Sequence, residues 1–159
     1  MKITPEPYGV RLRMPVLEAD ALSTVIDDVI GLLRGDLEPD DPVRQRLYPA
    51  GYRDDAGAEE AFRELTESSL REERVARAEE CVSDLATARS RRGTLEMVLE
   101  HDGAQRWLQV LNDARLAIGT RIGVTEDDGE PDPEDRPRMA YLWLTAVQDA
   151  LVHAVMASR

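Results

Sequence analysis

The sequence contains 159 residues, of which 42% are hydrophobic and 33% are charged, as is typical of a soluble globular protein. A chain of this length is large enough to bury a core, and we expect one domain over residues 1–159. The formal net charge of −12 repels nucleic acid unless the few cations are concentrated on one face, so the composition disfavours nucleic-acid binding.

The amino-terminal third is predicted to be a strand followed by a helix. Residues 1–7 contain two prolines and are expected to be extended or frayed. Residues 8–14 alternate between apolar side chains and Arg11 and Arg13, which predicts a short half-buried strand. Residues 16–34 repeat apolar positions at helical spacing, and Gly35 is expected to end that helix.

Three more helices are predicted before residue 90, or two if the last pair is continuous. Asp41 followed by Pro42 is a helix start signal, and Pro49 limits that helix to about two turns. The polar run that follows residue 65 contains a possible capping box, which predicts a break near 66–69. An unbroken helix over 56–89 is the alternative.

A second strand is predicted after a turn at residues 90–93. Residues 94–99 alternate weakly between apolar and polar side chains. If this strand pairs with residues 8–14, Glu96 can contact Arg11 or Arg13 across the sheet. The sequence therefore predicts at most a short two-stranded β element.

Residues 103–122 form the clearest predicted helix. Asp102 is expected to cap its first turn, and Gly123 is expected to end it in the left-handed conformation. Spacings of three and four residues place three side-chain positions on one edge: Asn112, Arg115 and Gly119. One interpretation is that a second helix approaches Gly119 closely; the other is a recognition pocket with Gly119 as its floor.

Arg115 occupies an apolar helical register, so its stem is expected to be buried and its guanidinium to need a carboxylate. Four carboxylates outside its own helix are candidate partners: Glu79, Glu80, Asp54 and Asp55. Removal of Arg115 is therefore expected to cost more stability than removal of other arginines.

The carboxyl-terminal part is predicted to be an acidic loop and a last helix. Residues 124–137 combine seven acidic residues with glycine and prolines, which favours a solvated loop. Residues 138–157 are apolar around most of the helix circumference, so this helix is expected to be internal or to form a homodimer. Together the elements predict a mainly α fold, a five- or six-helix orthogonal bundle.

Four segments, taken in order, closely resemble an actinobacterial family known as domain of unknown function two-zero-one-seven. The segments are Tyr52-Arg53-Asp54-Asp55, residues 62–67, residues 107–128 and residues 141–145. The resemblance extends from the first strand to the last helix and implies a small cytoplasmic protein. Members are often encoded near the substrate adaptor of the Clp protease, which suggests a link with regulated proteolysis. The family string draws attention to seven candidate binding residues: Arg53, Asn112, Arg115, Thr120, Arg121, Thr125 and Glu126.

Catalytic and metal-binding motifs are not found in the sequence. It has two histidines and one cysteine, and it contains no zinc-protease motif, phosphate loop or serine elbow. Adjacent Glu100, His101 and Asp102 are poorly placed to hold one ion. No cofactor is therefore expected, and Cys81 is predicted to be a small buried side chain. No leader peptide or membrane-spanning segment is apparent, which favours the cytoplasm.

The leading functional hypothesis is a non-catalytic interaction or regulatory protein that binds a protein partner or a second copy of itself. The alternative is a small-molecule or anion sensor that uses Arg53, Arg115 and Arg121. An enzyme whose site is assembled from scattered residues is the third possibility.

Overall fold

The computed structural model describes residues 1–35, 37–49, 56–125 and 132–158. The described residues are 69% helical, which confirms a mainly α fold. The elements in chain order are β1 (Lys2–Glu6), β2 (Gly9–Pro15), α1 (Val16–Arg34), α2 (Pro42–Leu47), α3 (Ala56–Thr87), β3 (Arg89–Arg91), β4 (Thr94–Glu100), α4 (His101–Ile122) and α5 (Arg136–Ala157).

The β element is a four-stranded antiparallel sheet with the order β1-β2-β4-β3, so the expectation of at most two strands is wrong. The predicted pairing of β2 with β4 is confirmed, and Glu96 accepts from Arg11 at 2.5 Å and pairs with Arg13 at 3.0 Å. The two unexpected strands lie at the sheet edges. β1 tolerates Pro5 because an edge strand can spare a backbone donor, and β3 is the short arm of a tight hairpin.

The core lies between one face of the sheet and the helices. Strand alternation buries Val10, Leu12 and Met14 of β2 together with Leu95, Met97 and Leu99 of β4. Trp107 of α4 is fully buried in the same cluster. α4 contacts α1, α2, α3, α5 and both central strands, and it is therefore the central helix of the domain.

α3 is one unbroken helix, so the predicted break near 66–69 is wrong and the alternative is correct. The Thr66 hydroxyl donates to the Phe62 carbonyl, at 2.7 Å, and remains within the helix instead of capping a new one. The Glu67 carboxylate is bound by Arg44 and Arg71. The polar side chains that suggested the end of a helix therefore form hydrogen bonds within α3 and with α2, and the helix continues through them.

The ends of α4 and α5 follow the expected rules in part. α4 begins at His101 directly after β4, so Asp102 lies in its first turn and is not the predicted cap. Gly123 ends α4 with φ of 66°, as expected for the left-handed conformation. Asp135 caps α5 by accepting from the Arg138 amide. Residues 126–131 of the predicted acidic loop lie outside the described residues.

α5 packs through one face and is not internal, which contradicts one of the two expectations for it. Its buried residues share a single stripe: Leu144, Val147, Leu151 and Ala154. On the opposite side, Met156 remains 65% exposed. The helix is long and apolar enough to cross a membrane by length and composition alone, although its buried face packs against α4 and β1.

Candidate functional site

The edge of α4 that carries Arg115 and Gly119 faces α5. A Cβ atom built at Gly119 would lie 2.9 Å from Cε2 of Tyr141, so the missing side chain allows this close contact. The Arg115 guanidinium lies over the same ring, 5.4 Å from its centroid, and Nη1 donates to Gln148 Oε1 at 2.5 Å. The expectation of a close helix contact at Gly119 is therefore confirmed, and the space proposed for a pocket is occupied by Tyr141.

The expected carboxylate partners of Arg115 are not its partners. Glu79 pairs with Arg34 of α1, and Glu80 pairs with Arg106 at 2.9 Å. Asp54 and Asp55 lie outside the described residues. The hydrogen-bond acceptors of Arg115 are neutral: Gln148 and, at 3.5 Å, the Tyr141 hydroxyl. Arg115 therefore stabilises the fold through polar and cation–π contacts and not through a buried ion pair.

Arg121 points away from α5 and joins α4 to α2. Its Nη2 atom lies 2.9 Å from Oδ2 of Asp41, the residue that also caps α2 through the Val43 amide. Burial alone would raise the pKa of Asp41, but the bonds from Val43 and Arg121 outweigh it, and the pKa is lowered. This contact links the start of α2 to the end of α4.

The remaining candidate residues differ in burial, and two of them lie outside the part of the chain that the structure describes. Asn112 and Thr125 are exposed, and Thr120 is half-buried. Arg53 and Glu126 lie outside the described residues. Since the described arginines of the proposed sensor contact different helices, the structure does not bring them to one anion-binding position.

A buried charge cluster that the sequence interpretation missed joins α2 to α3. Glu67 is 7% exposed, and its two carboxylate oxygens accept from Arg44 at 3.0 and 3.1 Å. Arg71, one turn along α3, donates to the same carboxylate at 3.2 Å. Two guanidinium groups therefore neutralise one buried carboxylate and hold α2 against α3.

A second ion pair with a buried carboxylate joins Arg74 of α3 to Asp113 of α4. Asp113 is 4% exposed and accepts from Arg74, which also donates to the Leu47 carbonyl at 3.1 Å and covers the Tyr48 ring at 5.6 Å. A sequence signal existed, because Asp113 follows Val110 by three residues and precedes Ala117 by four. It therefore lies in the buried stripe of α4.

The Glu67 cluster should make stability sensitive to acid. Burial would raise the pKa of Glu67, but the bonds from Arg44 and Arg71 outweigh it and lower the pKa below its ordinary value of 4.5. A lowered folded-state pKa stabilises the fold above the unfolded-state value, and this contribution is lost as pH falls. We expect Glu67→Gln to be less stable than wild type at pH 7 and to show a shallower loss of stability on acidification.

Urea titrations over a pH series measure this difference. Glu79→Gln is the matched control, because Glu79 is a half-exposed carboxylate of the same helix. An acid dependence of Glu67→Gln that overlays that of wild type would contradict the assignment.

Cys81 is a buried structural thiol, as expected. It is fully buried, and burial raises the pKa of its thiol to about 12. Nearby, the Asp84 carboxylate accepts from Arg106 at 3.0 Å and from the Trp107 indole at 2.9 Å. The polar groups beside Cys81 thus bind one another and do not generate a thiolate.

We expect alkylation of Cys81 by iodoacetamide at pH 8 to be on the order of 10³-fold slower in the folded protein than in urea, because so little thiolate is present. Mass spectrometry of quenched samples measures the rate. The matched control is Cys81→Ala with Ser83→Cys, which places the thiol two residues away at an exposed position. Equal rates for both folded proteins would refute the buried-thiol assignment.

The outer surface of α5, opposite its buried stripe, exposes four large apolar side chains: Met139, Leu142, Val152 and Met156. Ala146 and Ala150 lie between them on the same half of the helix. Among the exposed residues between Met139 and Met156, only Asp149 carries a formal charge, which is little for the solvent-facing half of a helix that packs through one stripe. This surface, here called the outer α5 surface, is a candidate for contact with another protein.

The fold and these contacts define a mainly α domain on a small antiparallel sheet, with ion pairs fastening its helices to one another. The chain belongs to the family described as Domain of unknown function (DUF2017), whose model matches residues 1–155. Proteins named oxidative stress regulator AosR from Mycobacterium tuberculosis and Mycobacterium bovis are 29% identical to it over 160 residues, covering 89% of this chain and 71% of theirs. A Mycobacterium leprae relative is 30% identical over 148 residues, covering 84% of this chain and 67% of its own. No solved structure matches the chain.

Proposed function

We propose that this protein is a non-catalytic regulator that acts by binding another protein through the outer α5 surface. The proposal depends on one observation: α5 exposes large apolar side chains to solvent, and most of its most apolar stretch is not buried in the domain. Burial of such side chains against a partner is favourable by about 25 cal/mol per Å². The relatives named as regulators are consistent with this role.

The absence of catalysis is part of the proposal. The most buried charged side chains among the described residues, Glu67 and Asp113, are bound by arginines that fasten helices together. Cysteine is the most nucleophilic type of side chain, but the one cysteine of the sequence, Cys81, is buried, and the pKa of its thiol is raised. These two carboxylates are thus engaged in structural contacts, and this thiol is held neutral by burial.

A connection with oxidative stress, if this chain shares the role named for its relatives, would operate through the partner and not through a disulfide within these 159 residues. The sequence has one cysteine, and that cysteine is buried. A dithiol switch requires two accessible sulfurs. The chain is thus proposed to transmit a signal by binding.

Site-specific photo-crosslinking in the native host tests the proposal. A benzophenone amino acid at Leu142, in the outer α5 surface, should yield one discrete crosslinked species. The control places the same group at Leu17, a more exposed apolar side chain on a different helix, α1. A discrete product from position 142 that is absent from position 17 and is suppressed by Met156→Glu is expected.

The mass of the crosslinked product and light scattering of the pure protein distinguish the possible partners. A product of twice the chain mass indicates a homodimer, and a heteromeric product indicates a different protein. No discrete product at position 142, or the same products at both positions, would overturn the proposed contact surface.

A further inference from the structure

The face of the sheet that points away from the helices is basic, although the protein as a whole is strongly acidic. Strand alternation places five cations on this outer sheet face: Lys2, Arg11, Arg13, Arg89 and Arg91. The carboxylates on the same face are Glu6, Glu96 and Glu100. The net charge of −12 is thus distributed unevenly, with cations in excess on this one surface.

The pairing register concentrates these charges. Lys2 lies opposite Arg13, Arg13 opposite Glu96, and Glu96 opposite Arg89, so one row across the four strands holds three cations and one carboxylate. That carboxylate is already shared by Arg11 and Arg13. Lys2, Arg89 and Arg91 make no ion pair with any other described residue, which leaves them available to an external anion.

A depression of about 460 Å³ lies at this end of the sheet. It is lined by Arg13, Arg89, Arg91, Arg92, Thr94 and Glu96. Four guanidinium groups therefore surround a single carboxylate in one concave site. Guanidinium forks bind carboxylates in a bidentate manner, so the site can accept more than one acidic side chain.

The β3–β4 turn holds one of these arginines in a strained conformation. Arg92 and Gly93 have φ values of 52° and 76°, the combination of a tight hairpin turn that favours asparagine or aspartate followed by glycine. Arginine at the first position is therefore costly for the backbone, and strain of this kind concentrates at functional positions. The Gly93 carbonyl accepts from the Val16 amide at 3.0 Å, which anchors the turn to α1.

We propose that the outer sheet face binds an acidic peptide segment of a partner protein, with Arg13, Arg89, Arg91 and Arg92 contacting its carboxylates. Val98, 52% exposed in the middle of β4, offers an apolar contact for a side chain between those carboxylates. A phosphodiester strand fits less well. The strands contain no aromatic residue on which bases could stack, and Glu6 and Glu96 would repel a continuous line of phosphates. This surface is separate from the outer α5 surface, and the two proposals stand independently.

Fluorescence anisotropy with a labelled peptide of alternating glutamate and leucine tests the proposal. We expect salt-dependent binding by the wild type and at least a tenfold weaker affinity for a hairpin variant carrying Arg89→Ser, Arg91→Ser and Arg92→Asn. Asparagine retains the turn conformation at position 92, so this variant should fold, as circular dichroism can verify. The matched control removes the same charge from exposed arginines elsewhere, with Arg34→Ser, Arg46→Ser and Arg136→Ser.

The outcomes separate the proposal from its competitors. Binding by wild type and control but not by the hairpin variant supports it, and a further loss in Val98→Ser supports the apolar contact. Equal binding by the hairpin and control variants would overturn it. So would tighter, hairpin-dependent binding of a labelled oligothymidine, because the ligand would then be nucleic acid. Hairpin-dependent self-association in light scattering would identify a second copy, and not a different protein, as the occupant.

Discussion

Arg74→Leu is expected to destabilise the protein by about 3–5 kcal/mol, because it leaves Asp113 charged and unpaired in the interior. The Leu47 carbonyl loses a donor in the same variant. The matched control is Arg34→Leu, which removes a half-exposed ion pair between α1 and α3 and should cost about 0–1 kcal/mol. Urea unfolding with a common m-value measures both changes.

A double variant tests whether the cost comes from the unpaired charge. Arg74→Leu with Asp113→Leu removes both charges and should recover a large part of the lost stability, since an apolar pair can replace a buried ion pair. Arg115→Leu should cost less than Arg74→Leu, because the acceptor it leaves, Gln148, is neutral. If Arg74→Leu proved no more costly than Arg34→Leu, the central role assigned to this ion pair would be incorrect.

Gly119→Leu is expected to lose about 1–3 kcal/mol, although leucine is the better helix former. The new side chain would begin 2.9 Å from the Tyr141 ring and would displace it from beneath Arg115. Gly31→Ala in α1 is the matched control, because nothing lies within 4 Å of a Cβ atom built there. That control should be more stable than wild type by about 0.5–1 kcal/mol, the ordinary helix-propensity gain.

The coupling between positions 119 and 141 identifies the cause of the loss. In a Tyr141→Ala background, Gly119→Leu should cost much less, because the space vacated by the ring can accept leucine. Thermal unfolding of the four proteins in this cycle measures the coupling. Additive losses would show that leucine at position 119 clashes with something other than Tyr141.

The sequence predicted those helices and strands whose residue pattern is complete within the element itself. Alternation identified β2 and its pairing with β4, and Asp41 with Pro42 correctly placed the start of α2. The edge strands β1 and β3 were not predicted. β1 contains proline, and β3 has three residues, too few for an alternating pattern to be recognised. Their strand conformation depends on hydrogen bonds to a neighbouring strand across a turn.

The contacts of the arginines show why the interior was harder to predict. Helical register placed Arg115 on an edge beside Gly119, but register does not tell which helix will face that edge. The facing helix is α5, which offers Tyr141 and Gln148 where a carboxylate was expected. Likewise, the polar run in α3 suggested a break because Arg44, the partner of Glu67, comes from α2 and is invisible to a local pattern.

The pairing of β2 with β4 also has a consequence for how the chain is made. Strand β2 ends at Pro15, whereas its last partner residue is Glu100, so about 85 residues must be synthesised between them. At roughly 5–20 residues per second, the nascent β1–β2 hairpin would wait several seconds on the ribosome with Val10, Leu12 and Met14 uncovered. The apolar face of the amino-terminal hairpin therefore stays without its β4 partner for several seconds, and the central pair of the sheet can form only after β4 has been synthesised.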